Sequence, residues 1–194
     1  MDTDPAPRRR SATATREQIL TAANALFYTH GIRATSADRV IAEAGITKVT
    51  FYRHFPTKSQ LVVAYLERQA EAERAWLTGL HRGDDPHGTL QALAAGIGEA
   101  SCSPGFRGCA FINAAAEFAD PGDPVRLAVD THRDWTLALL TEIAAEAGAA
   151  DPRSRGRELL LLRDGGMVSG YLGAPETVAA VLASAFSAVL ADRS

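Results

Sequence analysis

Apolar side chains recur along this chain with the three-to-four-residue spacing of helices packed on one face. Ile19, Ala23, Leu26 and Phe27 form the first such stripe, which predicts a helix over residues 16–30. Thr15 and Gln18 have the spacing of a capping box, and Gly31 stands where a left-handed residue ends a helix. A second start follows at Thr35-Ser36-Ala37-Asp38, with Val40, Ile41 and Ala44 as its buried side, and Gly45 stops it. Ile46-Thr47 opens a third helix whose Phe51 and Phe55, four apart, face inward, and Pro56 closes it. Two short helices joined by a tight turn containing glycine follow the helix-turn-helix plan.

The remainder keeps the same period. A capping pattern at Thr57–Gln60 begins a fourth helix, Lys58 to about Leu80, with Leu61, Tyr65, Ala72 and Trp76 on one face. After the Gly- and Pro-containing segment 81–88, further helices are predicted over Thr89–Ala100 and Cys109–Phe118, then from Val125 to Gly148. Asp151-Pro152 caps another that runs to about Leu172, and a last one spans Pro175 to about Asp192. About nine helices without a convincing strand make an all-α protein. The expected organisation is a flexible basic arm (1–14), a three-helix helix-turn-helix domain (15–60), and a helical C-terminal domain (61–194), to which the family resemblance described below adds DNA binding for the first domain and effector binding and dimerisation for the second.

Composition refines this. The 194 residues are 46% hydrophobic, enough for a substantial core, and carry a net charge of −3. The charge is unevenly placed: residues 1–60 hold nine Lys/Arg against five Asp/Glu, and residues 61–194 hold eleven against eighteen. A basic head on an acidic body implies that only the head meets a polyanion. No apolar run is long enough for a membrane span, and the first fifteen residues lack a signal peptide's apolar stretch, so a cytoplasmic protein without a membrane partner is expected. Cys102 and Cys109 are too few for a disulfide framework.

On a helical wheel Val49 and Arg53 point away from Phe51 and Phe55, with Thr50 and Tyr52 beside them. Such a mixed basic, polar and small apolar face suits base edges and phosphates together. Lys58, in the first turn of the fourth helix, is placed to hold a phosphate. The stretch Thr35–Lys58, with the Gln18–Gly31 helix before it, closely resembles the tetracycline-repressor (TetR) family of bacterial regulators over roughly residues 15–66. The resemblance implies that Thr47 and Lys48 open the recognition helix, that Tyr52, His54 and Lys58 contact phosphates, and that Ser36 and Arg39 touch the DNA backbone. Val49 stands where many relatives carry Gly, so it meets a thymine methyl or restricts the helix's approach. Arg8-Arg9-Arg10 is either an arm reaching the minor groove or DNA backbone, or a solvated tail.

The resemblance further implies a homodimer on a two-fold-symmetric double-stranded operator and a small-molecule effector. The last two helices are the expected seam, through Gly166, Gly170, Val178, Val181, Leu182, Ala185, Phe186 and Val189; core packing within one chain is the alternative. Trp76, Phe106, Trp135, Met167 and Tyr171 among many alanines outline a pocket or are simply core, and His132 is a core histidine or a ligand group. Asn113 and Glu117, four apart near Cys109, are the candidate polar groups for an effector.

Three rivals accompany this reading. One is a thiol-sensing repressor, since Cys109 opens a helix just after Arg107 and Cys102 lies seven residues before it. Another is a constitutive DNA-binding protein. The third, a helical enzyme, finds no nucleophile, base and acid set and no metal motif. The His81–Gly88 segment, with two His and two Asp, reads as a solvated loop rather than a metal site. No cofactor, metal or catalytic residue is expected.

Overall fold

The computed structural model describes residues 12–191. Nine helices follow one another, with no strand among the described residues: α1 Ala12–His30, α2 Ala37–Glu43, α3 Lys48–His54, α4 Lys58–Leu80, α5 Pro86–Ser101, α6 Ala110–Glu117, α7 Pro124–Glu146, α8 Pro152–Leu172 and α9 Pro175–Ala191. The chain divides into two compact units between Tyr65 and Leu66, and α4 runs through the division. None of the described helices is long and apolar enough to cross a membrane. The triple arginine at 8–10 lies outside the described residues.

In the first unit, Ile19, Leu20, Ala23 and Phe27 of α1, Val40 of α2, Phe51 of α3 and Leu61 of α4 are all buried. Phe27 meets Tyr65 edge-on at 5.5 Å. The caps are set locally. Ser36 accepts from the Arg39 amide, Thr47 accepts from the Thr50 amide, and Thr57 and Gln60 satisfy each other's backbone amides at 3.2 Å. Gly45, at φ +60°, takes the left-handed conformation that turns α2 towards α3.

Two local expectations are corrected. Helix α1 starts at Ala12, so residues 12–14 are helical rather than part of an arm, and Gln18 does not cap it. The Gln18 side chain instead donates to the Ala44 carbonyl, tying α1 to the end of α2. Thr35 is fully buried, its hydroxyl donating to Gly31 O at 2.8 Å, which leaves capping to Ser36.

In the second unit α5 packs on α9, α7 on α8, and α8 on α9. The core joins Leu77 of α4, Leu90, Leu93 and Ile97 of α5, Leu140 and Ile143 of α7, Leu159 of α8, and Val178, Leu182, Phe186 and Leu190 of α9. Close helix approach depends on missing side chains. A Cβ at Gly98 would lie 2.5 Å from Ala179 Cβ, and one at Gly166 2.5 Å from Leu182 Cδ1.

This packing corrects much of the expected seam. Val178, Leu182 and Phe186 are spent inside the unit, and Gly166 and Gly170 give close contact with Leu182 and Ser101 of the same chain. Of that set, Val181 is 63% exposed, while Ala185 and Val189 are half-buried. A different stripe faces outward on α8: Leu161, Gly165, Val168 and Leu172, with both leucines 74% exposed.

Candidate DNA-binding surface and buried polar cluster

The N-cap at Thr47 fixes where α3 begins, and Phe51 and Phe55 hold its inner side. The opposite side is thereby committed to solvent. Thr47, Lys48, Val49, Tyr52 and Arg53 are exposed there, and Val49, at 79%, is the most exposed large apolar side chain of the described residues. Tyr52 is braced edge-on against Phe51 at 5.2 Å, which orients its hydroxyl end without burying it. Thr50 is half-buried, with its hydroxyl 2.9 Å from that of Thr47.

Cations flank this face. Lys48 Nζ lies 3.2 Å from Asp38 Oδ1, and the hydrogen bond and charge of Asp38 hold the Lys48 ammonium above its ordinary range. Ser36 and Arg39 are exposed on the start of α2. Lys58 is half-buried, and its Nζ reaches the Arg33 carbonyl at 3.5 Å. His54 departs from expectation: its Nε2 is buried and has no partner among the described residues, so that atom is not offered to a phosphate.

The second unit holds a buried polar cluster that the sequence did not disclose. Arg163 of α8 is 6% exposed, yet it sits among Glu73 of α4, Asp164 and Cys109. Its Nη2 donates to Glu73 Oε1, and its Nη1 lies 3.0 Å from Asp164 Oδ1 and 3.4 Å from Cys109 Sγ. Asp164 also accepts from Arg133 Nη1 at 2.7 Å. His132, 2% exposed, stacks on Phe111 at 3.7 Å and places Nε2 3.2 Å from Glu73 Oε2; its Nδ1 has no partner among the described residues.

Electrostatics favour the charged forms of Glu73 and Arg163. Burial acts to raise the Glu73 carboxyl, but the His132 ring and the Arg163 charge outweigh it, leaving Glu73 below the usual carboxylate range. Burial likewise opposes the Arg163 charge, and the negative character of Cys109, Glu73 and Asp164 raises it instead.

The expected pocket residues are scattered about this cluster. Cys109 and His132 are buried in it, and Phe106, Glu117, Trp135 and Met167 are half-buried. Trp76 packs over Gly96, and Tyr171 lies under the Arg107 guanidinium at 5.0 Å. Asn113 is exposed, donating to the Arg107 carbonyl. None of these nine lines either of two concave features. One is a small, partly open cavity of about 10 Å³ between Leu77, Leu93, Thr136, Leu140 and Arg163. The other is an open groove of about 660 Å³ bounded by Phe111, Val129, Arg133, Leu161, Asp164 and Val168.

Arg163 had one sequence signal: it follows Leu159 by four residues, on the buried face of an apolar run. Glu73 had none, standing among the charged residues of α4.

Comparisons with known proteins agree with this architecture. Residues 19–65 match the family model described as bacterial regulatory proteins, tetR family. The crystal structure of a TetR-family transcriptional regulator from Streptomyces coelicolor is 42% identical, with a TM-score of 0.87, covering 93% of this chain and 96% of that one. A putative TetR-type regulator from Streptomyces avermitilis is 25% identical, with a TM-score of 0.79, covering 90% of this chain and 97% of that one. Among curated proteins, the HTH-type transcriptional regulator LmrA of Bacillus subtilis is 28% identical over 144 residues, 72% of this chain and 76% of that protein. The chain belongs to the TetR family of DNA-binding transcriptional regulators.

Proposed function

We propose that the protein is a dimeric repressor that sets α3 into the major groove at each half of a two-fold-symmetric operator and is released by a small-molecule effector. The outer face of α3 carries the reading: Lys48, Val49, Tyr52 and Arg53 are exposed together on a helix whose start and inner side are both fixed. Val49 and Arg53 meet base edges, while Thr47, Lys48, Tyr52, Ser36, Arg39 and Lys58 bind phosphates and set the register. Such phosphate contacts supply affinity, and the few base contacts supply sequence preference.

Dimerisation is assigned to the outward stripe Leu161, Gly165, Val168 and Leu172 of α8, with Val181 of α9 beside it. An apolar stripe at helical spacing favours cover by another chain. Two heads on one operator then bind half-sites about 34–36 Å apart. The effector acts on the second unit, where the buried contacts of Arg163 with Glu73 tie α8 to α4. It releases DNA only by preferring the non-binding arrangement.

Selection of genomic fragments by the purified protein at about 0.15 M salt, alongside an Arg53→Ala variant, tests the reading. Enrichment of a few two-fold-symmetric sites, lost in the variant, supports it. Salt-sensitive retention of all fragments without enrichment rejects sequence-specific regulation.

A further inference from the structure

We propose that His81, Glu142 and Glu146 bind one divalent transition-metal ion of the zinc class, which pins the end of α4 to the end of α7. None of the three belongs to the DNA-facing surface or to the polar cluster around Arg163.

His81 directly follows Leu80, the last residue of α4, and Glu142 and Glu146 stand one turn apart at the end of α7. The fold brings the imidazole and both carboxylates together, with one ligand atom from each lying within 4.8 Å of the other two. His81 Nε2 is 2.8 Å from Glu146 Oε2. The other oxygen of Glu146 lies beside Gly83, where a Cβ would stand only 3.1 Å from it, so the glycine keeps that carboxylate open to an ion. The neighbouring candidates in segment 81–88 are placed differently. Asp85 caps α5 through the Gly88 amide, and Asp84 and His87 are exposed. The carboxylates of the site thus come from α7, a rigid element, and not from the loop.

Electrostatics favour a cation at this corner. Two carboxylates at i and i+4 on one helix repel each other. They stand at the end of α7 where the helix dipole is negative, and the last turn of α7 contains no basic residue. The last turn of α4, which His81 adjoins, contains none either. Among the described residues Glu142 makes no hydrogen bond or ion pair, and Glu146 is paired with His81 alone. Arg82, the next cation in sequence, is exposed and bonds to neither carboxylate. The side chains of His81 and Glu146 are only 17% and 23% exposed, so solvent screens them less than a free surface pair.

The donor set selects the ion. An imidazole nitrogen beside two carboxylate oxygens suits zinc and its neighbours cobalt and nickel, whereas magnesium and calcium prefer oxygen alone. Ligands about 2.0–2.2 Å from zinc stand closer together than the present spread, and rotation of the unpaired Glu142 side chain closes the difference. Three protein ligands leave a fourth position for water. The bound ion joins α7 to α4, the helix that begins with Lys58.

The test uses tag-free, full-length Cys102→Ser protein, which removes the exposed thiol, and zinc chloride as the probe. Glu142→Gln and His81→Gln variants are made in the same background. Equilibrium dialysis is expected to find one bound zinc, held at least about tenfold more weakly in each variant, the loss that removing even an outer partner of a metal ligand causes. Glu142→Gln breaks no bond of the metal-free protein, so its melting temperature without zinc is expected to match the parent's. Zinc at about one hundred times its dissociation constant is expected to raise the parent's melting temperature by about 5 °C and that of Glu142→Gln by much less. Cobalt in place of zinc is expected to show the visible absorption of an ion held by nitrogen and oxygen, without a thiolate charge-transfer band. Equal zinc binding by the parent and Glu142→Gln proteins overturns the proposal, as does the absence of bound zinc. A thiolate band overturns it by assigning the ion to Cys109. Magnesium bound as tightly as zinc also overturns it, because that identifies a solvated acidic patch.

Discussion

Lys48 Nζ, at the first position of the recognition helix, is held 3.2 Å from Asp38 Oδ1 on the helix before it. The pair joins the two elements of the helix-turn-helix and partly neutralises the cation that opens its DNA-facing helix. Removing the carboxylate charge leaves Lys48 free for a phosphate. Asp38→Asn is expected to tighten operator binding a few-fold and to steepen its salt dependence, whereas Lys48→Ala reduces the slope of log K against log salt by about one. Fluorescence-anisotropy titrations across a salt series check both, and an unchanged slope for Lys48→Ala would exclude it from the phosphate contacts.

Val49 tests base reading separately from affinity. With 79% of its surface exposed, it contributes little to the fold. Val49→Ala should leave the melting temperature unchanged but relax preference at one base position in each half-site, most where a thymine methyl is present. Selection from a randomised operator library reads this out, and an unaltered consensus would show that Val49 limits approach without reading a base.

The division between core and outward stripe predicts opposite behaviour for two leucines on neighbouring helices. Leu182, 4% exposed, is core, and Leu182→Ala should destabilise the fold by about 2–5 kcal/mol. Leu161, 74% exposed, belongs to the proposed seam, and Leu161→Asp should dissociate the dimer with the helix content kept. Chemical denaturation and sedimentation velocity, run on both variants, distinguish the two roles.

Glu73 gives the acid limb of stability. Its carboxyl is held below the ordinary glutamate value of about 4.5, so it binds protons more weakly folded than unfolded. The resulting stability is fully present above the unfolded value and is lost as pH falls through the lower folded one. Glu73→Gln removes this component and leaves Arg163 without one of its two carboxylates, a change of about 3–5 kcal/mol for a broken buried pair. The gap between wild type and Glu73→Gln is therefore expected to be widest near neutrality and to narrow below about 4.5. Urea denaturation across pH measures it, and a gap that does not change with pH would mean that Glu73 is not differentially charged.

The sequence by itself determined the helices and the face α3 presents. Ser36, Thr47, Thr57 and Gln60 cap helices through bonds to residues three positions away, Gly45 turns the chain, and Phe51 and Phe55 point one side of α3 inward. Each effect acts within about one helical turn, so residue order alone encodes it. The resemblance over residues 15–66 was legible for the same reason.

Tertiary structure decided the rest. Whether the apolar residues of α9 face their own chain depends on α5, some ninety positions earlier, where the absence of a side chain at Gly98 admits Ala179. Periodicity marks Val178, Leu182 and Phe186 as an apolar face without naming what covers it. The polar cluster was hidden more completely. Cys109 and His132 stood out in the sequence as candidate groups, but Glu73 and Arg163 looked like ordinary surface charges, and nothing in residue order joins the four, which lie on different helices or at their ends. Only when the helices pack does burial remove water from these groups, make each one's neighbours its sole means of holding charge, and turn a set of distant residues into a site.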